Sequence, residues 1–195
     1  RKVMEILKPH ANKFEKASID EAYLDITESV DGDWDSAFAL CRELQQAIFK
    51  KVGLTASFGI GPTRILAKMS SEINKPNGIF RILPDEIQEF FEDRPVREVP
   101  GVGPKTATML AASGISNGAE AYELGEWSLA RMTSEKIASW IIRLTDGNTT
   151  NAVSPLRSRK SVGTEQTYDI DQSDTTLVFN RLNQVATTTM KRALY

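Results

Sequence analysis

The run Ser18-Ile19-Asp20-Glu21-Ala22-Tyr23-Leu24-Asp25-Ile26 restricts what this chain can fold into more than any other stretch. Two adjacent carboxylates, Asp20 and Glu21, stand between a short run at 14–18 and an apolar run of strand formers at 22–26. That layout predicts two strands with the acids at their junction. Neighbours on a regular strand point to opposite faces, so the two acids converge only where the backbone bends. Aiming two carboxylates at one place is costly, through like-charge repulsion and partial desolvation. A divalent cation removes that cost, and hard carboxylate oxygens suit magnesium. Without flanking support the same pair reads as an exposed acidic turn.

Several classes are excluded by composition. At 195 residues, with 41% hydrophobic and 26% charged residues, the chain has the material for a globular core. No apolar run approaches the roughly 20 residues that span a bilayer, and no signal peptide opens the sequence, so a cytoplasmic setting is expected. The single cysteine, Cys41, allows no internal disulfide and falls on an apolar helical stripe, which suits a small core residue. His10 has no histidine or cysteine near it, which argues against zinc. A formal charge of -2 gives no overall basic coat for nucleic acid, so any DNA contact has to come from local features.

Residues 1–7 start in helical pattern, with Val3, Met4 and Leu7 on one side and no cap before them, as in the middle of a longer element. Asp31-Gly32-Asp33-Trp34-Asp35 looks like a calcium loop only superficially. Its sixth position is Ser36 where Gly is needed, and its twelfth is Arg42 where Glu is needed. Asp33 or Asp35 is instead expected to cap a helix running to about Val52, with Phe38, Cys41, Leu44 and Ile48 in its stripe. Residues 54–60 predict a buried strand and residues 63–73 a helix. The turn Asn74-Lys75-Pro76-Asn77-Gly78 and a short strand at 79–82 follow. The order implies a mixed sheet with helices on one face.

From Pro84 onward the pattern changes to short helices. Val99-Pro100-Gly101-Val102-Gly103-Pro104-Lys105-Thr106-Ala107 fits the hairpin of a helix-hairpin-helix unit. Gly101 and Gly103 let the backbone turn and approach a partner. The next helix opens with amides that can grip a phosphate oxygen, beside the charge of Lys105. Such a unit holds DNA backbone without reading sequence, and a plain helix–helix turn is the competing reading. Further helices are expected near 119–122, 128–131 and 134–144. Residues 147–158 read as a linker, Arg157, Arg159 and Lys160 form a basic cluster, and residues 161–168 look like a strand. A helix at 174–194 is expected to turn Val178, Leu182, Val185 and Met190 inward. A strand and a helix alone bury little, so the chain is expected to stop within a domain.

Ala17-Ser18-Ile19-Asp20-Glu21-Ala22-Tyr23-Leu24-Asp25 resembles the second carboxylate motif of the Y-family (translesion) DNA polymerases. That match points to the family's archaeal and DinB-like branch, and Phe58-Gly59-Ile60, Ala67-Lys68 and Lys75-Pro76-Asn77-Gly78 match the same family in order and spacing. The resemblance implies an α+β fold: a partial palm at 1–83, a helix-hairpin-helix thumb at 84–146, and the opening of a little-finger domain at 159–195. It implies low-fidelity, template-directed nucleotidyl transfer with two magnesium ions, for which manganese can substitute. Asp20 would bridge both ions, and Glu21 would bind the one nearest the primer 3′-hydroxyl. Lys75 would reach the triphosphate of the incoming deoxynucleotide. Gly101, Gly103 and Lys105 would hold duplex backbone, with Arg157, Arg159 and Lys160 on its other side. The implied partners are primer–template DNA, deoxynucleoside triphosphates and a sliding clamp, with the polymerase itself a monomer.

The family's other catalytic aspartate and its finger domain precede the matched region, so the chain by itself is expected not to polymerise DNA. Two other classes fit parts of the sequence. One is a non-catalytic helix-hairpin-helix DNA-binding module. The other is a different palm-based enzyme, such as a nucleotidyl cyclase or a metal-dependent nuclease.

Overall fold

The computed structural model describes residues 1–149, 152–155 and 161–194. It divides into two units, Arg1–Pro155 and Leu156–Tyr195.

In the first unit, α1 (Lys2–Leu7) leads into β1 (Lys13–Lys16), which pairs antiparallel with β2 (Ala22–Asp25) in the register Lys16↔Ala22 and Lys13↔Asp25. Helix α2 (Trp34–Val52) follows, and the Asp33 carboxylate caps it by accepting from Ser36 N at 2.7 Å. That satisfies one of the amides a helix start leaves without a partner. Cys41 lies buried on the stripe of α2, where burial pushes its thiol up to about 12, so it stays protonated and inert.

Strand β3 (Phe58–Ile60), helix α3 (Arg64–Ile73) and strand β4 (Ile79–Arg81) make a β-α-β unit with β3 and β4 parallel. The expected strand at 54–60 pairs only from Phe58. Antiparallel and parallel pairing are both present, as two two-stranded ladders. The turn after α3 is fastened from two sides. Gln45 Nε2 donates to the carbonyls of Ala56 and Asn77, each at 2.9 Å, and Asn74 Nδ2 donates to Ile79 O at 3.1 Å.

The helical region comprises α4 (Ile87–Glu92), α5 (Pro104–Ala112), α6 (Gly118–Leu124), α7 (Glu126–Met132) and α8 (Glu135–Thr145). One core joins it to the β-α-β unit: Leu66 and Ile82 cluster with Phe91, Leu110, Ile141 and Leu144. Apolar burial at about 25 cal/mol per Å2 therefore resists separating the two regions. A buried ion pair adds to the same unit. Arg64 Nη2 lies 3.0 Å from Glu15 Oε1, and the Arg64 guanidinium stacks 3.9 Å over the Tyr23 ring.

In the second unit, α9 (Thr175–Ala193) is capped by Asp174, which accepts from the amides of Thr176 and Leu177. Two expectations fail here. Residues 161–168 join no ladder among the described residues, because a strand exists only where a partner takes up its backbone groups. They lie against α9 through side chains instead: Arg192 donates to Gly163 O at 2.9 Å, and Arg181 stacks on the Tyr168 ring. Val178, Leu182 and Met190 are exposed and do not face inward, since no second layer covers them among this unit's described residues. No described helix is long and apolar enough to cross a membrane.

Candidate active site and nucleic-acid interface

The acidic couplet sits where the hairpin reverses. Strands β1 and β2 leave residues 17–21 as the connecting loop, closed by Ala17 N and Ser18 N, which both donate to Glu21 O at 3.0 and 3.2 Å. Ser18 organises the tip: its hydroxyl donates to Asp20 Oδ1 at 2.6 Å and accepts from Glu21 N at 3.0 Å. A short side chain that bonds its own backbone is the usual device for holding such a turn. The Ser18 hydroxyl first, and then its own backbone amide, hold the Asp20 carboxyl below the usual carboxylate range. The ammonium groups of Lys68 and Lys75 add to that effect.

The two lysines come from α3 and the turn after it. Thr63 caps α3 by accepting from Leu66 N at 3.3 Å. Lys68, Glu72 and Lys75 recur at helical spacing, so they share one side. Lys68 Nζ bonds both Glu21 Oε1 and Glu72 Oε1, the latter at 2.8 Å. Lys75 Nζ takes the other oxygen of Glu72 at 2.7 Å. The Glu21 bond first, and that of Glu72 second, raise the Lys68 ammonium above its ordinary value. Lys68 and then Lys75 lower the Glu72 carboxyl.

Asp20, Glu21, Lys68 and Lys75 line one cleft of about 1140 Å3. Residues 22–26 of the hairpin and 54–60 leading into β3 form its walls. Strand β2 is paired only to β1 and β3 only to β4, so each presents an unpaired edge within the described residues. Among the described residues no three His, Cys, Asp or Glu side chains gather as a metal site. Asp20 and Glu21 do fit a magnesium ion as part of a donor set: two hard, anionic oxygen donors, adjacent, on the wall of an open cleft.

The second site lies in the helical region. Gly101 has φ +91°, in the left-handed region, and its near face is closed by Trp140, whose Nε1 would stand 2.9 Å from an added Cβ. The same Nε1 donates to Pro100 O at 2.5 Å, so α8 props the hairpin from below. Val102 anchors the hairpin in the core, whereas Gly101, Gly103 and Lys105 are exposed. Helix α5 begins with Pro104 at its first position, which leaves the next amides pointing out of the helix end beside Lys105.

Asp20, Glu21 and Lys75 thus share the cleft, and Gly101, Gly103 and Lys105 share the hairpin. Arg157, Arg159 and Lys160 lie outside the described residues. Sequence reasoning assigned no role to Lys68, which it used only as a family match, nor to Glu72 or Trp140. The i, i+4, i+7 spacing of Lys68, Glu72 and Lys75 was the available signal for the first two.

Comparison with known proteins covers both regions. Residues 1–72 match the model of the impB/mucB/samB family, and residues 84–115 match that of the IMS family HHH motif. DNA polymerase IV of Listeria monocytogenes is 39% identical over 184 residues, covering 94% of this chain and 51% of that protein. DNA polymerase IV of Pasteurella multocida is 38% identical over 174 residues, covering 88% of this chain and 48% of its own length. The chain therefore spans about half the length of these curated relatives. Among solved structures, a Y-family DNA polymerase chimera of Dbh and Dpo4 superposes with a TM-score of 0.84 at 32% identity, over 97% of this chain and 55% of the chimera. DinB from Sulfolobus solfataricus gives 0.73 at 30% identity, over 97% and 55%. On the acidic hairpin, on the helical hairpin and in the arrangement of both, the chain is similar to the DinB-like branch of the Y-family DNA polymerases.

Proposed function

We propose that these residues are the catalytic and duplex-gripping part of a low-fidelity translesion DNA polymerase. The polymerase adds deoxynucleotides to a primer 3′-end by nucleotidyl transfer. The observation that carries this reading is the placement of Asp20 and Glu21 on the wall of one cleft with Lys68 and Lys75. Asp20 and Glu21 would hold two magnesium ions, which when bound would stabilise charge on the attacking and leaving oxygens. Lys75 gives its ammonium to the triphosphate. Leaving Glu72 costs it little, because that pair is about half exposed and such surface pairs contribute only about 0.2–1 kcal/mol. A further strand, inserted between the unpaired edges of β2 and β3, completes the sheet and carries the third carboxylate into the cleft.

In this reading residues 1–83 are palm, residues 84–146 thumb, residues 147–158 linker and residues 159–195 part of a little finger. The hairpin of Gly101, Gly103 and Lys105 holds duplex backbone, and the basic cluster of Arg157, Arg159 and Lys160 supplies further cations for phosphate. Contacts to phosphate alone let the enzyme translocate and accept damaged templates. A similar structure, the insertion ternary complex of Dbh DNA polymerase, supports primer–template DNA and a nucleotide as ligands here. The enzyme works as a cytoplasmic monomer recruited by a sliding clamp.

Two outcomes test this. The 195-residue chain alone is expected to give no template-directed primer extension with magnesium, whereas a polymerase of the relatives' full length containing it extends. Extension by the short chain, scored on a denaturing gel, overturns the need for a third carboxylate. Lys105→Ala is expected to weaken duplex binding equally for unrelated sequences and to lower the slope of log affinity against log salt by about one. Fluorescence anisotropy across a salt series reads this, and an unchanged slope removes Lys105 from the interface.

A further inference from the structure

The same carboxylate that the proposed reaction needs for a metal is already occupied by a cation of the chain's own. Lys68 Nζ bonds Glu21 Oε1, and it bonds Glu72 Oε1 at 2.8 Å from the same position. Glu72 in turn holds Lys75 through its second oxygen. Lys68 therefore stands between two acceptors, one on the metal-binding hairpin and one on its own helix. A lysine with a single partner would be stranded on losing it, and Lys68 would not be.

We propose that Lys68 is a positioning residue that acts as a resident counter-ion for Glu21: it keeps the carboxylate turned into the cleft and gives it up when a divalent cation arrives. Glu72 is the acceptor that takes Lys68 over. The inference rests on the reading of Glu21 as a metal ligand. Lys68 competes with the metal for one carboxylate, so it sets how much metal the site requires. Glu72 favours the metal by drawing Lys68 away. Opposite shifts from substitutions at two bonded residues are the mark of this arrangement, since a merely structural pair would shift both variants the same way. The Lys68 and Glu21 side chains are 36% and 43% exposed, so water screens the competition and the effect is modest, about two- to fivefold.

The experiment is a manganese titration of the full-length polymerase, with free Mn2+ followed by electron paramagnetic resonance, so that binding is read without turnover. Lys68→Met, which keeps the aliphatic stem, is expected to lower the Mn2+ midpoint about two- to fivefold, and Lys68→Arg to leave it near the parent. Glu72→Gln, on an exposed side chain whose loss leaves the core intact, is expected to raise it by a similar factor. Glu21→Gln separates the two readings. If it binds Mn2+ as the parent does, the metal role of Glu21 fails. If it loses binding while Lys68→Met leaves the midpoint unchanged or raises it, only the counter-ion role is overturned. A Glu72→Gln midpoint equal to or below the parental one overturns it as well, should Lys68→Met fail to fold.

Discussion

Alanine at Asp20 or at Glu21, in a full-length polymerase containing these residues, is expected to abolish primer extension and leave duplex affinity near the parental value. The expectation joins chemistry to local structure. Each carboxylate would stabilise charge that develops only in the transition state, and removing one such group costs typically 10²–10³ in rate, or more when a metal ligand goes with it. Neither side chain supports the fold to a comparable degree. Asp20 is exposed and its side chain is held by Ser18, while Glu21 forms a half-exposed pair with Lys68. Substitution of such groups usually changes stability by less than about 1 kcal/mol. The hairpin loop is closed by backbone bonds to Glu21 O, which alanine retains. Single-turnover incorporation and anisotropy on the same preparations separate the two effects. Extension within about tenfold of the parent, a barrier change near 1.4 kcal/mol, would remove both residues from the metal site. A matching loss of DNA affinity would instead point to a damaged fold.

What the sequence made legible was local. The acidic hairpin, the Asp33 cap, the extent of α2 and the turn after α3 follow from residues within a few positions of one another. Capping and helical periodicity act at that range. The Lys68–Glu21 and Arg64–Glu15 pairs span 47 and 49 positions, and nothing in the spacing of either residue announces its partner. Glu15 reads as an ordinary strand acid, yet its side chain is almost wholly buried beneath Arg64. The same limit explains residues 161–168. Their composition suits a strand, but pairing is settled by a partner segment, and β-propensity mainly reports fit to a half-buried surface. The exposed stripe on α9 is the converse case: its period was correctly read, and its burial depends on what packs over it. Gly101 was legible because its left-handed turn demands glycine, whereas Trp140, which supports that turn from α8 through Pro100 O, is 40 positions away.

Gly59→Ala is expected to destabilise the first unit by about 3 kcal/mol or more, lowering its melting temperature by about 10 °C. Gly59 lies in β3 where α3 crosses closest. A Cβ there would fall inside the van der Waals radii of Ala67 O and Ser71 N, both backbone atoms of α3, and of Ser70 Oγ. A flexible side chain could turn aside, but a helix backbone moves only as a whole. Ser70 has little freedom to give, being fully buried with its hydroxyl donating to Ala67 O at 3.0 Å and Ile60 O at 3.3 Å. Relief therefore requires α3 to lift from β3, and Leu66, fully buried in the main core, lifts with it. Gly103→Ala is the internal control: its φ is -79° and no atom lies within 4 Å of the added Cβ, so its stability is expected to stay within about 0.5 kcal/mol of the parent. Thermal and urea unfolding of the two variants measure the contrast, and a Gly59→Ala melt within 2–3 °C of the parent would mean that α3 packs more loosely than these contacts require. The consequence reaches the cleft, because Lys68 and Glu72 ride on α3 and Lys75 on the turn that ends it. A helix displaced by even part of an ångström carries those lysines away from Glu21 and, in the proposed reading, from the nucleotide's phosphates. Any Gly59→Ala protein that still folds should therefore lose nucleotide affinity as well as stability, whereas Gly103→Ala should leave nucleotide affinity unchanged.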